Sequence, residues 1–319
     1  MNQGIFGFPT ALSNNTISTT EIDVSGTYRI APGTKRLVIF AIGAGAGGGA
    51  GGRRASTTTQ SGGGGGHQGA IVIQSFNVED LGGVNTTLSI IIGAGSVGGV
   101  GASTPDNSVG SQSVGTAGTT TITVTGKPSV LICCLGGQPG GGGSTAAPTA
   151  NGVRTGFVNG ILVSNVYPSN GTGASGTSVS GLNMLYCSGA QGGGLNVDGV
   201  TANAGGSINS GISTSTFVGN PNFGTIDLGA GFFANRVYTG GSLIAPLVTP
   251  VNSTDQVHGK MSPGFGGVGG GSGVTVGGQN GGNGYRGSGG GGGGCCLNGF
   301  TSGSGGAGGN GYVCIVALA

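Results

Sequence analysis

The sequence contains few charged residues. Lys, Arg, Asp and Glu make up 6% of its 319 residues, and the formal net charge is +2 at pH 7. Disordered chains are usually rich in charge and poor in apolar residues, whereas 35% of this chain is hydrophobic. The composition therefore favours a folded chain, and its small net charge predicts no nucleic-acid partner.

The chain also lacks the signals of helices, membrane spans and secretion. Almost no Glu or Lys is present to build helices, and no apolar run reaches the ~18 residues that a membrane-spanning helix needs. The N-terminal sequence MNQGIFGFPTALSNN has neither a basic region nor a long apolar region, so we expect no secretory signal. We predict very little helix, no membrane insertion, and thiols as the default state of the six cysteines.

Glycine accounts for 82 residues, and its runs alternate with short apolar segments such as LSIIIGAG, SVLICCLG and YVCIVAL. The β-branched residues of these segments favour strands over helices. We expect strands at about 21–30 and 35–43 to form a hairpin around a turn at Pro32-Gly33. The final strand, 312–318, should pair with 35–43, because an unpaired apolar terminal strand would promote aggregation.

The run Gly289–Gly294 admits three interpretations: a flexible linker, a phosphate-binding loop or an ordered element. A phosphate loop needs a lysine and a helix that are absent here, and a free linker would not lie between apolar strands. Polyproline II segments have three residues per turn and outward-facing N–H and C=O groups, which glycine lets approach closely. We predict an ordered extended rod packed against other glycine runs, with Cys295 and Cys296 marking its junction with the apolar body.

These observations predict an all-β fold: an antiparallel β-sandwich-like body combined with packed glycine-rich polyproline II (polyglycine) segments and very little helix. Residues 1–18 are predicted to be an extended N-terminal docking arm, and 19–319 a glycine-rich β domain. Residues 145–262 have fewer glycine runs and are predicted to be an inserted, outward-facing elaboration. The candidates for docking in the arm are Phe6, Phe8 and Pro9.

No catalytic, cofactor or metal site is predicted. Matches to GxGxxG carry no information in a chain this rich in glycine, and no GxxxxGK[ST] motif exists. The pairs Cys133-Cys134 and Cys295-Cys296 leave three interpretations open: a zinc site, a disulfide cross-link between the pairs, or small buried apolar side chains. Adjacent cysteines on a strand point to opposite faces, which disfavours zinc.

Aromatic residues of the predicted insertion, together with Arg236, are the candidates for receptor contact. Such side chains stack on sugars or on apolar receptor surfaces, and they also form small cores. Both interpretations stay open at this point. The candidates are Tyr167, Phe232, Phe233, Arg236 and Tyr238.

Three motifs resemble the glycine-rich domain found in many bacteriophage tail and fibre proteins. SGTYRIAPGTKRLVIFAIGAGAGGGAGG resembles the start of that domain, LSIIIGAGSVGGVG its second signature, and GGAGGNGYVCIVAL its closing run and final strand. The resemblance covers roughly residues 20–143 and 264–319. Polyglycine-type phage adhesins are the nearest functional analogues, and in them the loops between glycine helices touch the bacterial receptor.

The resemblance implies a non-enzymatic virion structural protein, assembled in the host cytoplasm and placed at a fibre tip, tail tip or particle surface. Its expected role is host attachment, with other virion proteins bound through the arm and a homo-oligomer on the particle. The expected receptor is a glycan or an outer-membrane protein. A non-adhesive decoration or cement protein of the head, neck or tail is the first alternative. A glycine-rich ice-binding protein is more remote, because a strict Gly-x-x period is absent.

Overall fold

The structure is a computed structural model in which almost all described secondary structure is β-strand, and the prediction of an all-β fold is confirmed. Only the backbone, and not the side chain, is described for residues 16, 17, 154 and 155 and for the strand segments between 162 and 238. The described residues are 16–127, 129–145, 154–166, 179–180, 188–196, 198, 201–206, 208–211, 216–218, 225–227, 235–238, 264 and 266–319. The elements are β1 Thr16–Ile22, β2 Gly26–Arg29, β3 Arg36–Ile42, β4 Arg53–Arg54, β5 Ile71–Asn77, α1 Val78–Leu81, β6 Thr87–Ile91, β7 Thr120–Val124, β8 Val130–Cys134, β9 Arg154–Val158, β10 Ile161–Val166, β11 Val179–Ser180, β12 Ile208–Gly211, β13 Thr216–Val218, β14 Thr225–Asp227, β15 Asn235–Tyr238, β16 Cys296–Leu297 and β17 Tyr312–Leu318.

The first of the two large sheets, sheet 1, has the antiparallel order β1-β17-β3-β5. The closing strand β17 pairs with β3 along its whole length, from Tyr312 opposite Ile42 to Leu318 opposite Arg36. Apart from Arg36 at the start of β3, both strands are continuously apolar and are buried on both faces. The predicted pairing of the final strand with the strand at 35–43 is confirmed.

Sheet 2 has the order β10-β9-β8-β7-β6-β2 and packs face to face on sheet 1. Alternate residues of β3 point into the shared core, so that Leu37, Ile39 and Ala41 contact the inner side chains of sheet 2. The inner positions Ile90 and Ile122 of β6 and β7 complete this core. The two sheets therefore form the predicted antiparallel β-sandwich.

The predicted hairpin at residues 21–43 is wrong. A turn does form at Pro32-Gly33, where Thr34 N–H donates to Ala31 C=O at 3.3 Å and Gly33 has φ 85°. However, β2 pairs with β6 in sheet 2, whereas β3 lies in sheet 1. The predicted first strand is divided at 23–25 into β1, which lies in sheet 1, and β2, which lies in sheet 2. The turn after β2 therefore carries the chain from sheet 2 back to β3 in sheet 1.

The glycine-rich segments extend from one end of the sandwich and pack against one another. We call this part of the structure the glycine bundle. Every third N–H group of the segment 43–52 donates to the segment 301–311: the donors are Gly45, Gly48 and Gly51, at 2.8–2.9 Å. This three-residue repeat is the period of a polyproline II helix. The segments of the bundle are 43–52, 61–70, 92–102, 109–119, 135–144, 188–196, 202–206, 266–273, 276–285, 287–295 and 301–311.

The run Gly289–Gly294 lies at the centre of the bundle and is fully buried. The N–H groups of Gly290 to Gly294 all donate to other segments at 2.8–2.9 Å, and all six carbonyls of the run accept at 2.7–2.9 Å. The prediction of an ordered rod packed against other glycine runs is confirmed. The segments that accept from this rod are 43–52, 188–196 and 276–285; those that donate to it are 61–70, 266–273 and 301–311.

Close packing explains why this rod is made of glycine. A methyl group built on Gly292 would overlap the carbonyl of Gly63, and one on Gly290 would overlap the carbonyl of Gly306. Neighbouring segments thus approach to distances that leave no room for a side chain. The backbone groups satisfy one another, as buried N–H and C=O groups must.

The domain bounds predicted from composition do not follow the architecture at three places. Residues 16–18 of the predicted arm belong to β1, where Thr16 lies opposite Leu318. Within the predicted insertion, β9 and β10 belong to sheet 2. The segment 188–196 is part of the glycine bundle. Low glycine content therefore did not mark a separate unit at 154–166, because these residues add two ordinary strands to the sandwich.

Candidate functional site

Three loops at the far end of the glycine bundle are held in position by hydrogen bonds. We call the loops 53–60, 103–108 and 296–301 the distal tip. The segment 43–52 begins at the end of β3 and ends at the tip, so at about 3.1 Å per residue the tip lies roughly 28 Å beyond the sandwich. Each of the three loops connects two glycine segments of the bundle, and these segments hold the ends of the loop in place.

Arg53 anchors the loop 103–108 to the bundle. Its side chain is only 3% exposed, and its guanidinium donates to Asp106 Oδ1 at 2.9 Å. It also donates to the carbonyl of Ser103. Asp106 itself is 62% exposed, so the ion pair joins a buried cation to a carboxylate on the surface. The position of this loop is therefore fixed from inside the bundle.

Two asparagines connect the three loops of the tip. Asn107, with φ 58°, donates its backbone N–H to Asn298 Oδ1 at 3.0 Å, and Asn298 Nδ2 donates back to Asn107 Oδ1 at 3.1 Å. Asn107 Oδ1 also accepts the N–H of Ala55 at 3.1 Å. Asparagine is among the residues that tolerate the left-handed conformation seen at Asn107. The tip is thus held by side-chain hydrogen bonds rather than by a core.

The tip exposes a mixed surface of amides, hydroxyls and one aromatic ring. Phe300 is 37% exposed, and Cys296, below it, contacts the Phe300 carbonyl at 3.4 Å. Preorganised polar groups around an exposed aromatic ring suit recognition of another surface. Sequence reasoning did not single out this site. The usable signal was charge, since Arg53, Arg54 and Asp106 are three of only eighteen charged residues (10 basic and 8 acidic).

Most of the predicted contact residues lie outside the part of the chain that the structure describes. Arg236 and Tyr238 are in β15, where they pair with Ser210 and Ile208 of β12, and only their backbone is described. Their predicted receptor contacts therefore stay predictions. The residues outside the described ranges are Phe6, Phe8, Pro9, Tyr167, Phe232 and Phe233.

The two cysteine pairs lie at opposite ends of the glycine bundle. Cys134 lies at the sandwich end, where its thiol contacts Ala41 C=O at 3.5 Å, and Cys295 is at the tip, 3.6 Å from Gln60 C=O. Cys133, Cys134, Cys295 and Cys296 are free thiols. The length of the bundle, about 28 Å, excludes a disulfide or shared zinc ion between the pairs.

The prediction that Cys295 and Cys296 mark the junction of the rod with the apolar body is also wrong. The opposite end of the rod meets the sandwich, where Gly287 is packed against Ile42. Burial, with a smaller effect of the neighbouring Cys296 thiol, raises the pKa of Cys295. Cys295 is therefore a protonated, buried side chain at physiological pH.

Glu21, Arg286 and Tyr312 join the rod to sheet 1. Arg286 donates to Glu21 Oε2 at 2.7 Å and lies 4.1 Å from the centroid of the Tyr312 ring. The Tyr312 hydroxyl donates to the same Glu21 oxygen at 2.9 Å. Burial raises the pKa of Tyr312 above its ordinary value. Tyr312 is buried and Arg286 is mostly shielded from solvent, whereas Glu21 is exposed, and the cluster lies at the sandwich–bundle junction.

A cavity of about 500 Å³ lies between the sheets, at the sandwich end remote from the bundle. Its lining mixes apolar side chains, including Phe76 and Leu131, with Asn159 and Lys127. Lys127 Nζ donates to the Asp80 carbonyl at 3.2 Å. Among the residues of the described ranges, no group of three or more His, Cys, Asp or Glu is placed to hold a metal ion.

Comparisons with known proteins do not assign the chain. No known protein family matches it, and no curated protein sequence matches it. Within the described ranges, no helix has the length and apolar character needed to cross a bilayer.

Proposed function

We propose that this chain is a structural protein of a bacteriophage virion that takes part in host attachment from a fibre tip, tail tip or particle surface. The observation that carries the proposal is the glycine bundle, which holds three anchored loops roughly 28 Å beyond a β-sandwich. The three motifs that resemble phage glycine-rich domains occupy β2 to the segment 43–52, β6 to the segment 92–102, and β17. These are the elements that join the sandwich to the bundle.

The bundle suits the presentation of a binding surface because it is rigid without a large core. Each buried glycine has no side chain to order, and the hydrogen bonds between segments run in every direction across the bundle. A ligand that binds loops fixed in this way pays little additional ordering entropy. We assign the tip, rather than the predicted insertion alone, as the surface that meets a host receptor.

Phe300 and Asn107 test this assignment. Labelled protein is titrated onto host cells, comparing the wild type with Phe300→Ala and Asn107→Ala. Loss of an exposed aromatic anchor is expected to weaken binding at least tenfold, and loss of the asparagine bridge should weaken it by loosening the loops. Val84→Ala is the matched control, since Val84 is 44% exposed on the sandwich. Equal binding by all four proteins would refute attachment through the tip.

The N-terminal segment has a separate test. Because β1 begins at Thr16, truncation should stop at residue 15 and leave sheet 1 intact. We expect the truncated protein to fold but not to enter particles, because the arm is proposed to bind other virion proteins. Normal incorporation would refute the docking role. A particle that incorporates tip variants and still adsorbs normally would instead support a non-adhesive decoration protein.

A further inference from the structure

One flank of the glycine bundle is apolar and exposed. We call it the valine flank, and its most exposed members are Val97 (59%), Val100 (71%) and Val114 (62%). Five of the eleven large hydrophobic residues found exposed in the described part of the chain lie here. The flank comprises Ile91, Ala94, Val97, Val100, Val109 and Val114.

The three-residue period of the segment 92–102 places Ala94, Val97 and Val100 in a straight row. Ser96 and Gly99 face inward and donate their N–H groups to the segment 43–52 at 3.3 and 2.8 Å. Val97 and Val100, one position further along, therefore face outward with a spacing of about 9.3 Å. Val114 of the adjacent segment forms a β-bridge with Val97. The result is a ridge of aliphatic side chains along the bundle.

The neighbouring flank of the bundle differs from the valine flank in its exposed side chains. There the exposed positions of the segments 276–285 and 301–311 include asparagines whose side chains accept hydrogen bonds from the bundle. Asn280 Oδ1 accepts the Ser304 N–H, and Asn283 Oδ1 the Ala307 N–H, both at 2.8 Å. A bundle surface that meets water can therefore be polar at these positions. The valine flank has aliphatic side chains instead.

The valine flank is also free of charge. Residues 81–105 and 107–126, which include all its members, contain no Asp, Glu, Lys or Arg. Interface centres are depleted in charged residues, and contiguous exposed apolar surface marks interaction sites. The valine flank is therefore uncharged and more apolar than the neighbouring flank, and it fits a partner that is itself apolar and uncharged.

We propose that two copies of this chain associate through the valine flank. Val97 and Val100, about 9.3 Å apart, leave a gap that a valine of a second copy fills when the two copies are related by a two-fold axis, so the ridge is self-complementary. The five large side chains offer roughly 400–500 Å² per copy, so a pair buries about 1,000 Å², the lower bound for a specific interface. This association does not depend on the proposed role of the chain in a bacteriophage virion.

Sedimentation equilibrium of the full chain tests the proposal. The wild type should dimerise at micromolar concentration, and Val97→Ser/Val100→Ser should raise the dissociation constant on the order of 100-fold, since each change occurs in both copies. Val84→Ser/Val130→Ser is the matched control, because these valines are 44% and 40% exposed on the sandwich. It should change the constant less than threefold. Both double variants should keep the wild-type circular dichroism spectrum and melting temperature.

Three results would overturn the proposal. A wild type that stays monomeric at high micromolar concentration excludes the second copy as the partner. A dimer that is equally stable in Val97→Ser/Val100→Ser places the contact elsewhere. Inhibition of ice recrystallisation by a monomeric wild type, lost in that variant, would assign the flank to ice rather than to a second copy.

Discussion

Gly292→Ala should destabilise the protein by several kcal/mol although it adds only one methyl group. The methyl group would overlap the carbonyl of Gly63, whose segment is itself bonded to the rod. To make room, the rod must move away from Ala190, which accepts its N–H at 2.8 Å, and from Gly270, which donates to its carbonyl at 2.9 Å. Overpacking and two weakened hydrogen bonds together cost about 3–5 kcal/mol.

Thermal unfolding measures this effect. For a chain of 319 residues, 3–5 kcal/mol corresponds to a fall of about 5–7 °C in Tm. Gly26→Ala is the matched control, because a methyl group there would meet only Val24 C=O at 3.9 Å. It should leave Tm unchanged or slightly raised, since alanine lowers the entropy of the unfolded chain. Equal Tm values for Gly292→Ala and Gly26→Ala would refute the close-packed bundle.

Two further predictions concern buried titratable groups. Burial raises the pKa of the Cys134 and Cys295 thiols, so both stay protonated in the fold while the unfolded chain loses these protons above about pH 8.5. The free energy of unfolding should keep its full value below that pH and fall by about 1.4 kcal/mol per pH unit per thiol above it. Between pH 8 and 10 the urea midpoint should therefore fall less in Cys134→Ala/Cys295→Ala than in the wild type. An equal fall in both proteins would contradict the burial of the thiols. Tyr312→Phe removes a hydroxyl that donates to Glu21 and should lower the free energy of unfolding by about 1 kcal/mol in urea titrations, whereas no change would mean that this hydrogen bond adds no stability.

The strands and the ordered glycine rods could be predicted from sequence because their causes are local. The apolar residues of β3 and β17 occupy both faces of each strand, so neither face can be exposed to water and both strands must be buried and paired. The run Gly289–Gly294 lies in a chain with too few charges to be disordered, which left close packing as the way to satisfy its backbone.

The assignment of strands to sheets could not be predicted in the same way. The Pro32-Gly33 turn forms as its residues require, yet whether such a turn makes a hairpin depends on which partners the flanking strands find elsewhere. Likewise, the distance between Cys134 and Cys295 depends on the direction of every glycine segment between them. These are properties of the whole assembly of segments, and no local pattern specifies them.

The surface of the bundle did have a sequence signal that went unused. Side chains larger than alanine recur three residues apart where a segment faces outward, as at Val97 and Val100 and at Asn280 and Asn283. This spacing follows from the three residues per turn of polyproline II. The distal tip had only the weaker signal of scarce charges placed between glycine runs.

Hydrogen exchange at Gly290–Gly294 tests the central claim most directly. Each of these amides donates to a neighbouring segment, and the run is buried from solvent. The structure therefore predicts exchange at least ~1,000-fold slower than in an unstructured peptide of the same sequence, because it requires opening of the bundle. Exchange at the rate of the free peptide would show that the run is a flexible linker and would contradict the glycine bundle.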